Sequence, residues 1–100
     1  MTAIQRRFKN VLERIGDTFI VSGNNRKGIF AILPKERAKE FLTQAELDGA
    51  GRPLRMAYVP YDDTTAVANS VSWDGLTLTV KKALNVRAKG DTVARLLVLE

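Results

Sequence analysis

The chain of 100 residues contains no cysteine and no histidine. Without cysteine it forms no disulfides and no thiolate metal sites, which suits a reducing compartment. Without histidine it lacks the commonest general base, the commonest metal ligand and the usual activator of a catalytic serine. No run approaches the roughly 18 apolar residues of a membrane span, and the N-terminus has no signal-peptide core. These absences predict a protein that is not an enzyme and that uses no metal, cofactor or membrane.

What remains is the composition of one folded domain, residues 1–100. Hydrophobic residues make up 45% and charged residues 27% of the chain, which is typical of folded soluble proteins. The net charge is +5, and the basic residues are scattered along the sequence. Such a balance predicts weak, unspecific contact with DNA rather than sequence-specific binding.

Residues 1–16 are predicted to form an amphipathic helix. Thr2 and Gln5 fit a capping box, and Gly16 stands where helices commonly end. A helix this short is marginal in water, so its apolar face must pack against something. Both the protein's own β core and a neighbouring subunit are possible partners. The apolar residues at helical spacing are Ile4, Phe8, Val11, Leu12 and Ile15.

Residues 17–100 are predicted to form a small antiparallel β barrel or sandwich, so that the fold is mainly β within the α+β class. The clearest signal is Asp74-Gly75 between two segments of alternating polarity, residues 70–73 and 76–80. Asp and Gly tolerate the positive φ that both central residues of a type I′ turn require. A β hairpin is therefore expected here.

The last strand is predicted over residues 92–99, after a second turn at residues 88–91. Because it runs to the last residue, we expect it to be held in a sheet. Trp73 alternates with serines along the preceding hairpin. It is therefore expected to be buried in the barrel core, facing the strand that contains Leu96 or Val98.

Two earlier strands are predicted over residues 18–22 and 29–33, joined by a loop from Gly23 to Gly28. The loop carries two adjacent positive charges that are candidates for phosphate contact, although such a pair in a turn is more often only solvated. It matches no phosphate-cradling motif. The candidate contact residues of the loop are Asn24, Asn25, Arg26 and Lys27.

A further strand, residues 54–59, is expected to stop at Pro60. A polar loop containing Asp62 and Asp63 follows it. Two acids adjacent in sequence rarely converge on a cation without further oxygen ligands. The pair therefore predicts a capped turn rather than a metal site.

The connection over residues 35–52 admits two interpretations. Its apolar spacing predicts one helix from Lys35 to Leu47. Thr43-Gln44-Ala45-Glu46 instead forms a capping-box pattern, which predicts an extended segment over Arg37–Leu42 and a short helical turn over Gln44–Asp48. Sequence periodicity alone favours the single helix.

The order of these parts carries a family resemblance. The relevant segments are Lys27-Gly28-Ile29-Phe30, Tyr58-Val59-Pro60, the Val-x-Trp-Asp-Gly hairpin and the closing Arg95–Leu99. Over approximately residues 17–100 the chain resembles the small head–tail joining proteins of tailed bacteriophages, also called head-closure, stopper or minor capsid connector proteins. The resemblance implies an extended segment before a short helical turn, and so favours the split interpretation of the connection.

The resemblance also implies the function. Such a protein forms a homo-oligomeric ring, of six or twelve subunits, beneath the portal protein and its adaptor. It closes the DNA channel, offers a docking face to a tail protein and touches packaged DNA without sequence preference. It is expected in the virion neck, and in the host cytoplasm during assembly.

In that family the long connection carries the channel-facing segment, whose counterpart here lies within residues 35–52. The candidate channel or interface residues are Lys35, Glu36, Arg37, Lys39, Glu40, Phe41, Leu42 and Arg52. Its only large adjacent apolar residues are Phe41 and Leu42. We therefore expect the segment to be mobile in the monomer and to become ordered when a neighbouring subunit buries them.

Two alternative functions compete with this one. A tail-completion or tail-tube-type protein also forms rings from small β folds. A small β-barrel nucleic-acid-binding module is expected to carry aromatic residues on one exposed sheet face. The aromatic residues here stand one per predicted strand within apolar runs, as core residues do; they are Phe19, Phe30, Tyr58 and Trp73.

Overall fold

Six antiparallel strands close into a barrel in the computed structural model, which describes residues 2–49 and 53–100. The strands are β1 (Asp17–Val21), β2 (Asn24–Ile32), β3 (Arg55–Pro60), β4 (Ser70–Trp73), β5 (Leu76–Ala88) and β6 (Asp91–Leu99). Their order around the barrel is β1-β2-β3-β6-β5-β4, and β4 pairs with β1 where Ile20 lies opposite Ser72. The prediction of a mainly β barrel with an N-terminal helix is confirmed.

Two-residue turns with positive φ at both positions form the three hairpins of the described chain. They are Ser22-Gly23, Asp74-Gly75 and Lys89-Gly90. The predicted Asp74-Gly75 hairpin is confirmed, with Trp73 directly opposite Leu76. Because type I′ turns match the right-handed twist of the strands they join, these tight turns suit a small closed barrel.

The prediction of a loop from Gly23 to Gly28 is wrong. The chain reverses at Ser22 and Gly23, and Asn24 to Lys27 already belong to β2, where they pair with β1. Ser22 adopts a φ of 52°, a conformation that serine takes less readily than asparagine or glycine. The four residues expected at a loop tip therefore lie along a barrel strand.

The barrel interior is filled by alternate residues of the strands. The buried cluster consists of Phe19, Val21, Ala57, Val59, Val71, Leu78, Val80, Leu97 and Leu99. β6 pairs with both β3 and β5, and its residues Leu97 and Leu99, which belong to this cluster, are fully buried. The expectation that the last strand is held inside the sheet is confirmed.

Trp73 is less deeply buried than the sequence predicted. It is half-buried against the edge of the interior cluster, and its ring stacks on that of Phe30 with centroids 4.5 Å apart. Its indole Nε1 donates to Asp17 Oδ2 at 3.4 Å. Strand alternation gives the face on which a residue lies but not its depth, and Trp73 is the last residue of β4.

A second apolar cluster lies on the outside of β3 and β6. Two short helices in the connection, α2 (Lys35–Ala38) and α3 (Gln44–Asp48), lie along the chain between β2 and β3 and contribute to this cluster. Its buried members are Leu33, Ala38, Leu42, Leu54, Met56, Leu96 and Val98. The outer face of the sheet is thus covered by its own connection.

The split interpretation of the connection is correct for the helical turn over Gln44–Asp48 and wrong for the extended segment over Arg37–Leu42. Thr43 caps α3: its hydroxyl accepts from the Glu46 N–H at 3.2 Å, and Glu46 Oε1 accepts from the Thr43 N–H at 2.9 Å. The segment Arg37–Leu42 is not extended, because Lys35–Ala38 forms a helical turn and Leu42 N–H donates to the carbonyl of Ala38.

The N-terminal helix, α1 (Ala3–Ile15), packs on the outside of β2, β3 and β6. The predicted capping box of Thr2 and Gln5 is present. Gly16 ends the helix in an extended conformation, rather than the left-handed one common at this position. A Cβ here would lie 2.3 Å from the carbonyl oxygen of Leu12 and 3.0 Å from that of Gly28. Glycine is therefore required because the chain turns tightly against the last turn of α1, and secondarily because it passes close to Gly28 of β2.

Candidate functional site

The predicted channel segment separates into a buried side and a charged side. Leu42 is only 7% exposed, and Phe41 is half-buried against the same outer cluster. The expectation that a neighbouring subunit buries Leu42 is therefore wrong, because the protein's own barrel does so. Arg52 lies outside the described residues. The exposed members of the set are Lys35, Glu36, Arg37, Lys39 and Glu40.

Arg26 holds a loop instead of projecting into solvent. Its guanidinium donates to Asp63 Oδ1 at 3.2 Å and to the hydroxyl of the fully buried Thr65 at 2.9 Å. The same carboxylate oxygen accepts from the Thr65 N–H at 2.8 Å, which confirms the predicted capped turn. Arg95 donates to the Asp63 carbonyl oxygen from β6. Of the predicted contact residues in β2, only Asn24, Asn25 and Lys27 are exposed.

The helix α1 is fixed to the barrel along one narrow side. Leu12 is 3% exposed, and the Gln5 amide donates to the Thr92 carbonyl oxygen at 2.8 Å. Lys9 Nζ lies 2.6 Å from Asp62 Oδ2. This hydrogen bond raises the pKa of the Lys9 ammonium above its ordinary value. The polar contacts of Gln5 and Lys9 set the rotation of the helix on the sheet.

That rotation leaves part of the apolar side of α1 uncovered. The helix stripe, defined as Ile4, Phe8, Val11 and Ile15, lies on the flank opposite Lys9, because successive residues turn by 100°. Phe8 is 45% and Ile15 62% exposed. The sequence left open whether this face meets the barrel or another molecule. In the structure Leu12 meets the barrel, Ile4 and Val11 are half-buried, and Phe8 and Ile15 remain exposed.

The outward side of α1 is basic. The arginine face, defined as Arg6, Arg7 and Arg14, is exposed, and none of these residues takes part in an ion pair within the described chain. The positive charge of Lys9 is balanced by the negative charge of Glu13, so α1 has a net charge of +3 out of the +5 of the whole protein. The scattered charge inferred from the sequence is thus partly gathered on one helix. The signal was present in the helical spacing of Arg7 and Arg14.

A second exposed apolar region lies beside the tip of the β4–β5 hairpin. The hairpin hollow, a shallow depression of about 310 Å³, is lined by Thr18, Ile20, Ser72, Trp73, Asp74, Gly75, Leu76 and Thr77. Ile20 is 42% and Leu76 39% exposed. Asp74 is the only charged residue among these lining residues, and Lys27 Nζ donates to the Thr18 hydroxyl at its margin.

Residues 2–49 and 53–100 contain no group of three or more histidine, cysteine or acidic side chains placed to hold a metal ion. In the same ranges no helix is both long and apolar enough to cross a membrane. Glu46 is a capping group: the hydrogen bond from the Thr43 N–H lowers the pKa of its carboxyl.

The chain was compared with models of protein families, with curated proteins and with solved structures, and none of them matches it. Its function is therefore inferred from the surfaces described above and from the order of its sequence segments.

Proposed function

We propose that this protein is a structural component of the neck of a tailed bacteriophage, forming a ring between the portal or adaptor and the tail. The observation that carries the proposal is the exposed helix stripe on a small closed barrel. Single exposed apolar residues are normal, but an aligned set marks a contact surface. Phe8 and Ile15 stand two turns apart on a helix whose position is fixed by Leu12. The sequence resemblance to head-closure proteins supplies the kind of assembly.

In this role the protein does no chemistry. A ring of six or twelve copies, assembled in the host cytoplasm, binds the portal or adaptor on one side and a tail protein on the other. It closes the channel after packaging and contacts the DNA without sequence preference. The barrel gives the ring a rigid wall, because closing the sheet leaves no free strand edges.

The connection between β2 and β3 is our candidate for the channel-facing segment. Its exposed charges are mixed in sign, with three basic residues against four acids in the described part: Lys35, Arg37 and Lys39 against Glu36, Glu40, Glu46 and Asp48. Each phosphate that a protein neutralises adds salt-dependent affinity for DNA. A mixed lining therefore lets DNA slide past, whereas a uniformly basic one would retain it.

Sedimentation velocity and negative-stain electron microscopy of the purified protein test the proposal. We expect closed rings over a concentration series, or on addition of the portal–adaptor complex. Phe8→Ser should shift the material towards monomer. The control is Val67→Ser, which removes a residue that is 57% exposed but lies outside α1. A chain that stays monomeric and ignores both portal–adaptor and tail complexes would show that the proposal is wrong.

A tail-completion or tail-tube role is the nearest alternative, and the same material distinguishes it. A neck protein binds the portal–adaptor complex, whereas a tail-tube protein polymerises into tubes or binds only the tail. Both readings use the barrel as a ring subunit. The choice therefore depends on which complex captures the protein.

Nucleic-acid binding is the second candidate function, and the arginine face favours it. Arg6, Arg7 and Arg14 project from one helix as guanidinium groups, which suit phosphate oxygens. Replacing all three by Gln and measuring fluorescence anisotropy with duplex DNA tests this role. The matched control replaces Lys35, Arg37 and Lys39, which also removes three exposed positive charges. A nanomolar affinity that is lost only in the first variant would favour the nucleic-acid module over the ring.

A further inference from the structure

We infer that neighbouring copies join head to tail, with the helix stripe of one copy seated in the hairpin hollow of the next. The inference rests on the proposed ring and names the two surfaces that form it. These surfaces contain four of the six large hydrophobic residues that are exposed in the described chain: Phe8 and Ile15 on one, Ile20 and Leu76 on the other.

The two surfaces lie on different sides of the barrel. The helix crosses β2, β3 and β6, whereas the hollow is formed by β1, β4 and β5, which are the other three strands. In the barrel order β1-β2-β3-β6-β5-β4, β3 at the centre of the first set stands opposite β4 at the centre of the second. A contact between two different patches is heterologous, and it generates a ring when its rotation closes.

The shapes of the two surfaces are also complementary. Phe8 projects from the exposed flank of α1, and the hollow of about 310 Å³ is large enough to receive an aromatic side chain. Its walls are apolar at Ile20 and Leu76, and the hydroxyls of Ser72 and Thr77 line it without adding charge. Aromatic residues buried in such pockets commonly dominate the binding energy of an interface.

Charge gives the contact its direction. Arg7 and Arg14 lie beside the helix stripe, and Asp74 lies at the hollow, with Asp17 nearby at Trp73. A two-fold contact of stripe against stripe would instead bring the arginines of two copies together. Opposite charges across an interface set its register, and like charges suppress the wrong partner. The charges therefore favour helix to hollow over helix to helix.

Cysteine cross-linking tests the contact directly, because the natural chain has no cysteine. The double variant Phe8→Cys/Leu76→Cys is oxidised at high protein concentration and run on a non-reducing gel, because a disulfide traps the contact even where loss of the Phe8 ring weakens it. A disulfide requires Cα atoms about 4.4–6.8 Å apart, so a ladder of dimers, trimers and larger species is expected. The pair Phe8→Cys/Ile20→Cys repeats the test in case substitution at Leu76 prevents folding. The control pair is Phe8→Cys/Ile32→Cys, since Ile32 is 73% exposed at the end of β2.

Charge reversal gives a second, independent measurement. Arg7→Glu should weaken self-association of the otherwise natural chain by about tenfold, and adding Asp74→Arg should restore it. Each variant is first checked for an unchanged unfolding temperature. Failure of the second substitution to restore association would count against pairing of these two sites.

The outcomes separate this inference from the proposed function. A ladder from the pairs with Leu76→Cys or Ile20→Cys, and none from the control pair with Ile32→Cys, supports the contact. Rings of the natural protein together with equal cross-linking in the Ile32 control overturn the contact and leave the ring intact. Dimers from Phe8→Cys alone, with no ladder, show stripe-to-stripe docking and overturn it as well. If neither rings nor any ladder form, both proposals are wrong.

Discussion

Replacing Arg26 by Met is expected to destabilise the protein, whereas replacing the neighbouring Lys27 by Met is not. Both substitutions remove one positive charge from β2. Arg26 holds the carboxylate of Asp63 and the hydroxyl of the buried Thr65. Lys27 is exposed and reaches only the hydroxyl of Thr18, at 2.8 Å. The comparison therefore separates a role in holding the fold from a role in binding phosphate.

The magnitude follows from the burial of the pair. The side chain of Asp63 is 6% exposed and that of Arg26 is 22% exposed. Removing one partner of a fully buried ion pair costs about 3–5 kcal/mol, because a charge is left without its counter-charge. Partial access of water to Arg26 lowers the expected loss to about 2–3 kcal/mol. Surface changes such as Lys27→Met usually stay within about 0.5 kcal/mol.

Urea and thermal unfolding provide the assay. For a domain of this size each kcal/mol shifts the unfolding temperature by about 4–8 °C, so Arg26→Met should lower it by about 10–20 °C. Asp63→Asn on the Arg26→Met background should recover part of the loss, since it removes the uncompensated charge. Equal effects of the Arg26 and Lys27 variants, or lost DNA binding at unchanged stability, would refute the assignment of Arg26 as a loop anchor.

Three further predictions concern the helices and the tryptophan. Gly16→Ala should lower the free energy of unfolding by about 1–3 kcal/mol, because its Cβ would overlap the Leu12 carbonyl and displace α1; urea titration measures this. The pKa of Glu46 is lowered in the folded state from 4.5, so its contribution to α3 is complete above that pH and fades as the pH falls through the lower folded value. Thr43→Ala should cost about 1 kcal/mol at neutral pH, and amide exchange across α3 checks both statements. Trp73→Ala should cost about 2–3 kcal/mol, below the 3–5 of a fully buried aromatic, and the native indole emission should lie between buried and exposed values.

Each of these predictions has an outcome that contradicts it. Unchanged stability of Gly16→Ala would mean that α1 docks less closely than described. Protection of α3 that stays constant from neutral to acidic pH would remove the capping role of Glu46. Emission typical of a fully exposed indole would place Trp73 outside the stack with Phe30.

Local chemistry predicted part of this fold well. The Asp74-Gly75 turn and the two capping boxes were predictable because a few adjacent residues determine them. Ser22 was not, since nothing in a serine indicates a left-handed backbone, and the loop from Gly23 to Gly28 was predicted in its place. The sequence thus revealed the Asp74-Gly75 turn, where glycine follows a residue tolerant of positive φ, and missed the Ser22-Gly23 turn, where the fold imposes that conformation.

The candidate site was less accessible from sequence, because it depends on distant contacts. Leu42 looked unpartnered since Leu54 and Val98, which join it in the outer cluster, are far away in the chain. The apolar spacing of α1 showed a stripe but not which part would dock. That choice follows from Gln5 and Lys9, whose partners Thr92 and Asp62 lie on other elements. The rotation of a helix on the sheet depends on contacts with residues distant in the chain, and local sequence patterns do not reveal these contacts.

The pairing of β1 with β4 has a consequence for motion. The other five strand pairs share four or more paired positions, whereas this one is recorded at Ile20 and Ser72 alone. Local unfolding begins where the fewest interactions must be lost. The barrel is therefore expected to open transiently between β1 and β4. In the open form β1 and β4 are unprotected edge strands, and each can pair with a strand of another molecule. A neighbouring copy bound over Ile20 would hold β1 and β4 together. Assembly would therefore slow hydrogen exchange of the amides of β1 and β4 before that of other strands.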